Sequence, residues 1–403
     1  MMSIFTSGNI KTKSDCFVSY TPKNSGSLEI SIQSKTDILH SEKLNEIVQK
    51  TLSDLQIKHG KFEIVDNGGQ YFVLMARIEA TIKLEHPDLK LESLPEMKDH
   101  CKYASSRDRF RRSRLYLPGS QPKLMMNAGI HKPDAVILDL EDSVAPSEKM
   151  SARFIVRNAL RTLDFFGAER MVRINQGEFG MQDIEALVPQ NVHLILIPKV
   201  ETAEELIKFD TKIAEVMNDC GRTEPVFIMP ILESALGILN ALEIAQASKN
   251  NVALAIGLED YTADIGTQRT NEGSESFFAR SMLVNAARAT GLQPIDTVFS
   301  DVNDEDGLRA SVQEAKSLGF DGKGCIHPRQ IQPINEEFAP SQSEVEKAKK
   351  IVLAFDDAQA KGFGVVSLGS KMIDPPVVKR AIHSVNLAIA TGMLEENWKE
   401  EGN

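Results

Sequence analysis

Residues 226–233 (VFIMPILE) and 252–260 (VALAIGLED) decide the fold of this 403-residue chain. Each stretch is an apolar run that ends in a carboxylate, Glu233 in the first and Asp260 in the second. Strands that are apolar on both faces are typical of parallel sheets covered by helices, and (β/α) barrels carry their chemistry where the strands end. The two carboxylates are therefore expected at one mouth of a barrel, where they suit a hard divalent cation such as Mg²⁺.

Outward from these two stretches, short apolar runs alternate with helical patterns. We predict eight strands, at residues 115–117, 135–138, 171–174, 194–197, 226–229, 252–256, 297–299 and 324–326. Helices are predicted between most of them, at residues 149–163, 203–217, 236–247, 277–290 and 305–318. Eight strands favour a closed (β/α)8 TIM barrel over an open doubly wound sheet, which makes the chain an α/β protein.

The barrel is expected at residues 111–340, between a small α+β domain at 1–85 with its linker at 86–110 and a C-terminal helical extension at 341–403. The linker is polar and contains two prolines. Its basic end, Arg107 to Arg112, is interpreted mainly as a solvated face, although it enters the barrel beside a possible cofactor channel. Arg112 is the residue of this run that we assign to substrate binding.

The small domain is predicted to contain two strands, one helix and a hairpin. The strands are expected at 16–20 and 28–33, and the apolar spacing indicates a helix from Ser41 to Ile57 with Ser41 as its N-cap. The runs 61–65 and 71–78 flank Asp66-Asn67-Gly68-Gly69, which is typical of a hairpin turn. In the C-terminal extension, helices are predicted at 343–361 and 376–391.

Composition excludes several classes of protein. The net charge of -11 argues against nucleic acid as a partner, because phosphate binding needs a basic face. The four cysteines lie far apart without a CxxC pair, which favours a reducing compartment over a disulfide framework. No stretch approaches the ~20 apolar residues of a membrane span, and the first residues lack the apolar core of a signal peptide. We therefore expect a cytoplasmic protein that does not contact membranes.

Further polar residues follow the predicted strands, and each has a structural alternative. The first group is Asp139, Glu141 and Asp142, and the second includes Lys199. Arg173 suits a carboxylate or a developing enolate oxygen, or else forms a salt bridge to Asp139 or Glu141. Lys199, ringed by acids, should keep a raised pKa and stay protonated, so its role is electrostatic rather than nucleophilic.

A series of motifs from Arg111 to Ala381 resembles the citrate lyase β-subunit family of the HpcH/HpaI aldolase superfamily. The motifs are RRSRLYLPGS, DAVILDLEDSVAPSEK, MVRIN, IPKVETAEE, ILESALGI, IGLEDYTADIGTQRTNEG, FDGKGCIHPRQI and VVSLGSKMIDPPVVKRA. The resemblance implies a Mg²⁺-dependent carbon–carbon lyase in a TIM barrel. It assigns Glu233 and Asp260 to the metal and Arg173 to the thioester or keto-acid oxygens. It also implies that Asp374 of KMIDPP acts in a neighbouring subunit's site, although capping the helix that follows is the alternative.

Residues 1–85 separately resemble the acyl carrier (γ) subunit of citrate lyase. The resemblance implies a covalent phosphoribosyl-dephospho-CoA group on a serine within a Gly-Thr-Leu-Glu-Ser type motif. This chain instead reads Gly8-Asn9-Ile10-Lys11-Thr12-Lys13-Ser14-Asp15. Counting from Gly8 indicates Thr12 as the attachment site, whereas the Ser-Asp pair indicates Ser14, which we choose; an unmodified, structural domain is the alternative.

Together these features predict cleavage of a citryl thioester to oxaloacetate and an acetyl thioester by retro-Claisen chemistry. A partner resembling the citrate lyase α-subunit would load the acyl group, and a homo-oligomer is expected. A flexible tether would raise the effective concentration of the thioester arm to about millimolar. The alternatives are a malyl-CoA or citramalyl-CoA lyase or thioesterase that uses free CoA, and a non-catalytic carrier and assembly scaffold.

Overall fold

The computed structural model describes residues 3–35, 38–360, 366–368 and 371–399. Its N-terminal part is a four-stranded sheet covered by two helices. The elements are β1 (Phe5–Ser7), β2 (Cys16–Thr21), β3 (Leu28–Ser34), α1 (Ile38–Asp54), β4 (Gly60–Asp66) and α2 (Tyr71–Glu85). The sheet order is β1-β2-β4-β3, and only β3 and β4 pair in parallel. Alternation of buried and exposed residues along β4 places Phe62 and Ile64 in the core of this part.

Two predictions for this part are wrong. Residues 71–78 do not form the second strand of a hairpin, because Tyr71 begins the helix α2. This helix is buried on all sides from Phe72 to Ile82, so its sequence lacks the polar face that would reveal a helical period. Helix α1 begins at Ile38, so Ser41 lies inside the helix and is not its N-cap.

A closed barrel of eight parallel strands follows, as predicted. The strands, in barrel order, are β5 (Ser113–Pro118), β6 (Ala135–Asp139), β7 (Glu169–Arg173), β8 (Leu194–Ile197), β9 (Phe227–Leu232), β10 (Ala253–Ile256), β11 (Gln293–Asp296) and β12 (Gly322–Cys325), and β12 pairs with β5. The seventh strand was predicted four residues too late, because the sequence Gln293-Pro294 is typical of a turn rather than of a strand. We call the end where these strands finish the mouth and the opposite end the base.

Helices surround the barrel and continue into a C-terminal pair. They are α3 (Pro122–Met125), α4 (Lys149–Thr162), α5 (Gly177–Leu187), α6 (Ala203–Cys220), α7 (Ala235–Leu239), α8 (Ala241–Gln246), α9 (Leu258–Asp264), α10 (Phe277–Thr290), α11 (Glu305–Leu318), α12 (Ile331–Phe338), α13 (Gln342–Ala360) and α14 (Pro375–Ala390). Strands β13 (Val366–Leu368) and β14 (Lys371–Ile373) pair between α13 and α14. The helix predicted at 236–247 is divided at Asn240, whose amide donates to the carbonyl of Glu201. Lys361, the predicted end of α13, lies outside the described residues.

Buried ion pairs join the N-terminal part to helix α4. The guanidinium of Arg157 donates to the carboxylate of Glu79 at 2.7 Å, and neither side chain is exposed. Arg77 bridges Asp15 at 2.8 Å and Glu148 at 3.1 Å, and the hydroxyls of Ser7 and Ser151 lie 2.7 Å apart. The two parts therefore share an interface in which buried ion pairs accompany apolar packing.

The segment from Leu84 to Arg112 runs along the barrel rather than away from it. Cys101 is buried, and Arg107 donates to the carbonyls of Lys249 and Asn251 near the base. Within the basic run, Arg107 is exposed as expected of a solvated face, whereas Arg111 is fully buried and pairs with Glu169 at 2.7 Å. None of the described helices is long and apolar enough to cross a membrane.

Candidate active site at the barrel mouth

Arg173, the last residue of β7, is held by two acids at the end of β6. Its Nε and Nη2 donate to the two carboxylate oxygens of Asp139, each at 2.7 Å, and its Nη1 lies 3.0 Å from Glu141. Burial alone would raise the pKa of Asp139, but the Arg173 guanidinium lowers it below its usual value. Arg173 is thus a permanently charged, rigid donor group, and its guanidinium lies 5.4 Å from the ring centre of Tyr116.

Lys199 lies among the acids of the mouth. Its ammonium nitrogen is 3.5 Å from Asp142 and 3.7 Å from both Glu141 and Asp260. Partial burial lowers the pKa of Lys199, but the surrounding carboxylates raise it above its usual value. This environment favours the protonated lysine that the sequence predicts. Its φ of +52° is an uncommon conformation for a residue other than glycine, and it turns the chain so that the Lys199 amide points to Glu233.

Glu233, just after β9, is a buried carboxyl group that forms no salt bridge within the described residues. Its side chain accepts a hydrogen bond from the Lys199 amide at 2.9 Å, and the residue is 5% exposed. Burial, and then the neighbouring charge of Asp260, raise the pKa of Glu233 to about 8. A Cβ at Gly257 would lie 2.2 Å from the Glu233 carboxylate, so glycine makes room for this side chain.

Asp260 occupies the first turn of α9 and shares a cavity with Glu233. The cavity has a volume of about 270 Å³, and its lining also includes Arg114, Tyr116 and Arg173. The Asp260 side chain is 45% exposed at the rim. The structure therefore brings together the two carboxylates and the arginine that the sequence indicates.

The donor set fits a divalent cation that keeps open positions. Glu233 and Asp260 face one cavity, and the pKa of Glu233 is raised by burial and then by the charge of Asp260, so both carboxylates would be stabilised by a cation between them. Among the described residues no group of three or more histidine, cysteine or acidic side chains could hold a metal. A cation here would therefore take its remaining ligands from water and substrate oxygens, as Mg²⁺ commonly does.

Arg112 and Asp374 are not brought to this mouth. Arg112 immediately precedes β5 at the base, where it pairs with Asp134 at 2.8 Å, so the structure does not support its assignment to substrate binding. Asp374 accepts a hydrogen bond from the Val377 amide at 3.2 Å and caps α14. That helix packs beside the base, where the ring of His383 meets that of Phe110.

The loop that contains Thr12 and Ser14 lies at the edge of the N-terminal sheet. Both side chains are partly exposed, and the Ser14 amide donates to the carbonyl of Asn67 at 3.1 Å. In the described part of the chain neither hydroxyl makes a hydrogen bond. Both residues therefore fit an attachment site for a covalent group.

Three residues of the mouth were not anticipated from the sequence. Tyr116 and Arg114 belong to RRSRLYLPGS, and their alternation along β5 could have indicated that both point inward. Gly257 directly precedes the LED triplet, but a single glycine after a strand is a weak signal.

His327 caps a short helical turn through its Nδ1, which accepts from the Arg329 amide.

Comparison with known proteins gives two family matches. Residues 112–328 match the family described as HpcH/HpaI aldolase/citrate lyase. Residues 7–84 match an acyl-carrier family described as malonate decarboxylase delta subunit. Together the matches span the N-terminal part and the barrel.

Individual relatives agree with the aldolase/citrate lyase match. Citrate lyase subunit beta of Leuconostoc mesenteroides is 40% identical over 73% of this chain and 98% of its own, and that of Haemophilus influenzae is 43% identical over 68% and 95%. An L-malyl-CoA/beta-methylmalyl-CoA lyase of Cereibacter sphaeroides is 35% identical over 67% and 92%. The crystal structure of CitE from Mycobacterium tuberculosis with magnesium, acetoacetate and coenzyme A has a TM-score of 0.56 and 29% identity over 70% of this chain and 99% of that one.

Proposed function

Since this chain belongs to the HpcH/HpaI aldolase/citrate lyase family and is a carbon–carbon lyase, we propose that it cleaves a citryl thioester to oxaloacetate and an acetyl thioester with Mg²⁺. The observation that carries the proposal is the shared cavity of Glu233, Asp260 and Arg173. The relatives named citrate lyase subunit beta are 40% and 43% identical, against 35% for the malyl-CoA lyase, which favours the citryl substrate.

Glu233 and Asp260 would hold the metal. When bound, Mg²⁺ supplies Lewis-acid polarisation of the substrate hydroxyl and carboxylate oxygens. Glu233 must lose its proton to bind a cation, because its pKa is about 8. Lys199 keeps its proton and balances the acids Glu141 and Asp142 beside the site.

Arg173 would stabilise the charge that forms as the carbon–carbon bond breaks. Loss of the hydroxyl proton to a base lets the electrons of the carbon–carbon bond move to the thioester carbonyl, which gives the ketone of oxaloacetate and an enolate oxygen. Return of a proton to the enolate carbon then gives the acetyl thioester. Arg173 is fixed by Asp139 and Glu141 before the substrate arrives, so no reorganisation is needed to receive that oxygen. We propose that Asp374 serves the site of a neighbouring subunit in a homo-oligomer, because in its own chain it lies away from the mouth.

The N-terminal part would carry the acyl group. Its match to an acyl-carrier family supports a thioester arm on Ser14 or Thr12. The name of the β relatives implies a further subunit, and we propose that an α-type subunit loads the citryl group. Intact-mass analysis of the purified chain tests the arm. A phosphoribosyl-dephospho-CoA adduct that is lost in Ser14→Ala but kept in Thr12→Ala would support Ser14, and the reverse result would assign Thr12.

Cleavage of citryl-CoA, followed as released oxaloacetate, tests the reaction. We expect activity that needs Mg²⁺ and that is lost in Glu233→Gln and Asp260→Asn with folding intact. Glu243→Gln, which removes an exposed carboxylate from α8, is the matched control and should retain activity. Equal rates for Glu233→Gln and the parent would show that the metal assignment is wrong.

A malyl-CoA or citramalyl-CoA lyase that uses free CoA is the second candidate. This candidate is supported by the similarity to the L-malyl-CoA/beta-methylmalyl-CoA lyase, which aligns with 67% of this chain. The ratio of kcat/KM for citryl-CoA to that for L-malyl-CoA and citramalyl-CoA separates the two proposals.

A further inference from the structure

Arg114 is a buried cation at the bottom of the mouth cavity. It is 1% exposed and lies on β5 two residues before Tyr116, so both side chains point into the barrel. Tyr116 in turn contacts the guanidinium of Arg173 nearer the mouth. The cavity therefore extends from the metal-site carboxylates, past Tyr116, to Arg114.

Within the described residues Arg114 forms no salt bridge, a property that it shares with Arg170, whose guanidinium donates to three backbone carbonyls. Arg77, Arg111 and Arg157 each pair with a buried carboxylate. The Arg114 side chain donates hydrogen bonds to the sulfur of Met229 at 3.3 Å and to the carbonyl of Asp296 at 3.4 Å, and within the described residues its Nε has no partner. A buried, unpaired guanidinium is costly, which favours an anion in this cavity.

We propose that Arg114 binds a carboxylate of the substrate and thereby selects a citryl over a citramalyl thioester. The inference rests on the proposed lyase function. The two acyl groups differ at the hydroxyl-bearing carbon, where citryl carries a carboxymethyl group and citramalyl a methyl group. With the hydroxyl near Glu233 and Asp260, the carboxymethyl group extends into the cavity toward Arg114. Its carboxylate remains on the oxo-acid product, which makes Arg114 a binding site for oxaloacetate as well.

Arg114→Met tests this specificity. We expect the ratio of kcat/KM for citryl-CoA to that for citramalyl-CoA to fall by about 100-fold or more, because a site that pairs a buried charge discriminates strongly. Calorimetry should show weaker oxaloacetate binding with unchanged pyruvate binding. Arg107→Met, at the base, is the control. An unchanged specificity ratio and unchanged oxaloacetate affinity in Arg114→Met would refute the inference, whereas a parent that cleaves neither thioester would refute the proposed function.

An independent observation concerns the loop Gly8 to Asp15. Helix α4 follows β6, so its first turn lies at the mouth side of the barrel. Arg77 joins Asp15, next to Ser14, to Glu148 just before that turn. The adjacent Lys149 donates to the carbonyl of Glu141 at 3.0 Å, and Glu141 contacts Arg173 in the site.

We infer that the carrier loop is docked beside its own barrel's mouth and serves that site in cis. The chain of contacts from Ser14 to Glu141 has a total length of about 35 Å when fully extended. This length is the upper limit of the distance between the two residues. The arrangement is a fixed docking through buried ion pairs, which replaces the expected flexible tether. This inference rests on the proposed carrier role, but its test needs neither the arm nor activity.

Cross-linking tests the docking directly. Cys220 is the exposed cysteine of the four, so the background is Cys220→Ser. Ser14→Cys is combined with Asp142→Cys at the mouth, or with Lys249→Cys at the base as the control, and a bis-maleimide linker of about 35 Å is applied. We expect cross-links within one chain for the mouth pair, identified by mass at monomer size, in excess over the base pair. Cross-links only between chains, or equal yields for the two pairs, would overturn the inference.

Discussion

The buried carboxyl of Glu233 should make the metal-free protein less stable as the pH rises. Below pH 4.5 Glu233 is protonated in both the folded and the unfolded chain, so its titration has no effect on stability. Between pH 4.5 and about 8 only the unfolded chain loses this proton, which favours unfolding progressively. Above pH 8 both states are ionised, and the loss of stability is complete.

The size of the effect follows from the shift. One pKa unit corresponds to about 1.4 kcal/mol. A rise in the pKa of Glu233 from 4.5 to about 8 therefore lowers the free energy of unfolding by about 5 kcal/mol in total, and about 4 kcal/mol of this loss falls between pH 5 and pH 9. Glu233→Gln cannot ionise, yet its amide oxygen can still accept the hydrogen bond from Lys199. We expect the variant to lose about 4 kcal/mol less stability than the parent over this range.

Urea unfolding in EDTA at several pH values measures the difference. Glu243→Gln should follow the parent, because that carboxylate is exposed. Adding Mg²⁺ should stabilise the parent at pH 8 and leave Glu233→Gln nearly unaffected. Parallel pH profiles of the parent and Glu233→Gln in EDTA would refute the reasoning, because they would mean that Glu233 titrates at its ordinary pKa in the folded protein.

The structure supports four further predictions. Calorimetry in buffers of different ionisation heat should show release of about one proton on Mg²⁺ binding at pH 7, since Glu233 is mostly protonated before binding. Gly257→Ala should weaken Mg²⁺ affinity about 10- to 100-fold in the same assay, because its methyl group displaces the Glu233 carboxylate. Arg173→Lys should lower kcat for citryl-CoA by about 10²–10³, because lysine lacks the second donor arm; an unchanged kcat would remove Arg173 from the mechanism. Arg157→Met should lower the free energy of unfolding by about 3–5 kcal/mol, and adding Glu79→Met should restore much of it.

The barrel was predictable from the sequence because its strands are short apolar runs. In buried strands such as β8 and β9 every residue is apolar, which makes the strands recognisable in the sequence. The polar residues that follow each strand indicate the mouth. That rule led directly to Arg173, Glu233 and Asp260. The same reasoning failed for α2, because a helix buried on every side has no polar face and resembles an apolar strand.

Position along a strand explains the remaining differences at the site. Arg112 and Arg114 are two residues apart, but one lies before β5 at the base and the other inside the barrel. The start of a strand is known from sequence only to within a few residues, so the two arginines could not be told apart. The raised pKa of Glu233 depends on burial and on Asp260, which only the folded arrangement supplies.

The interface between α2 and α4 has a consequence for the history of the two-part chain. Arg157, on the barrel, has its fully buried carboxylate partner, Glu79, in the N-terminal part. Splitting the gene near residue 86 would separate Arg157 from Glu79 and expose the buried faces of α2 and α4 on the two products until the halves reassembled. After such pairs had formed, dividing the chain into two separate subunits would have made both products less soluble. Two independently expressed halves should therefore stay soluble only when they are produced together.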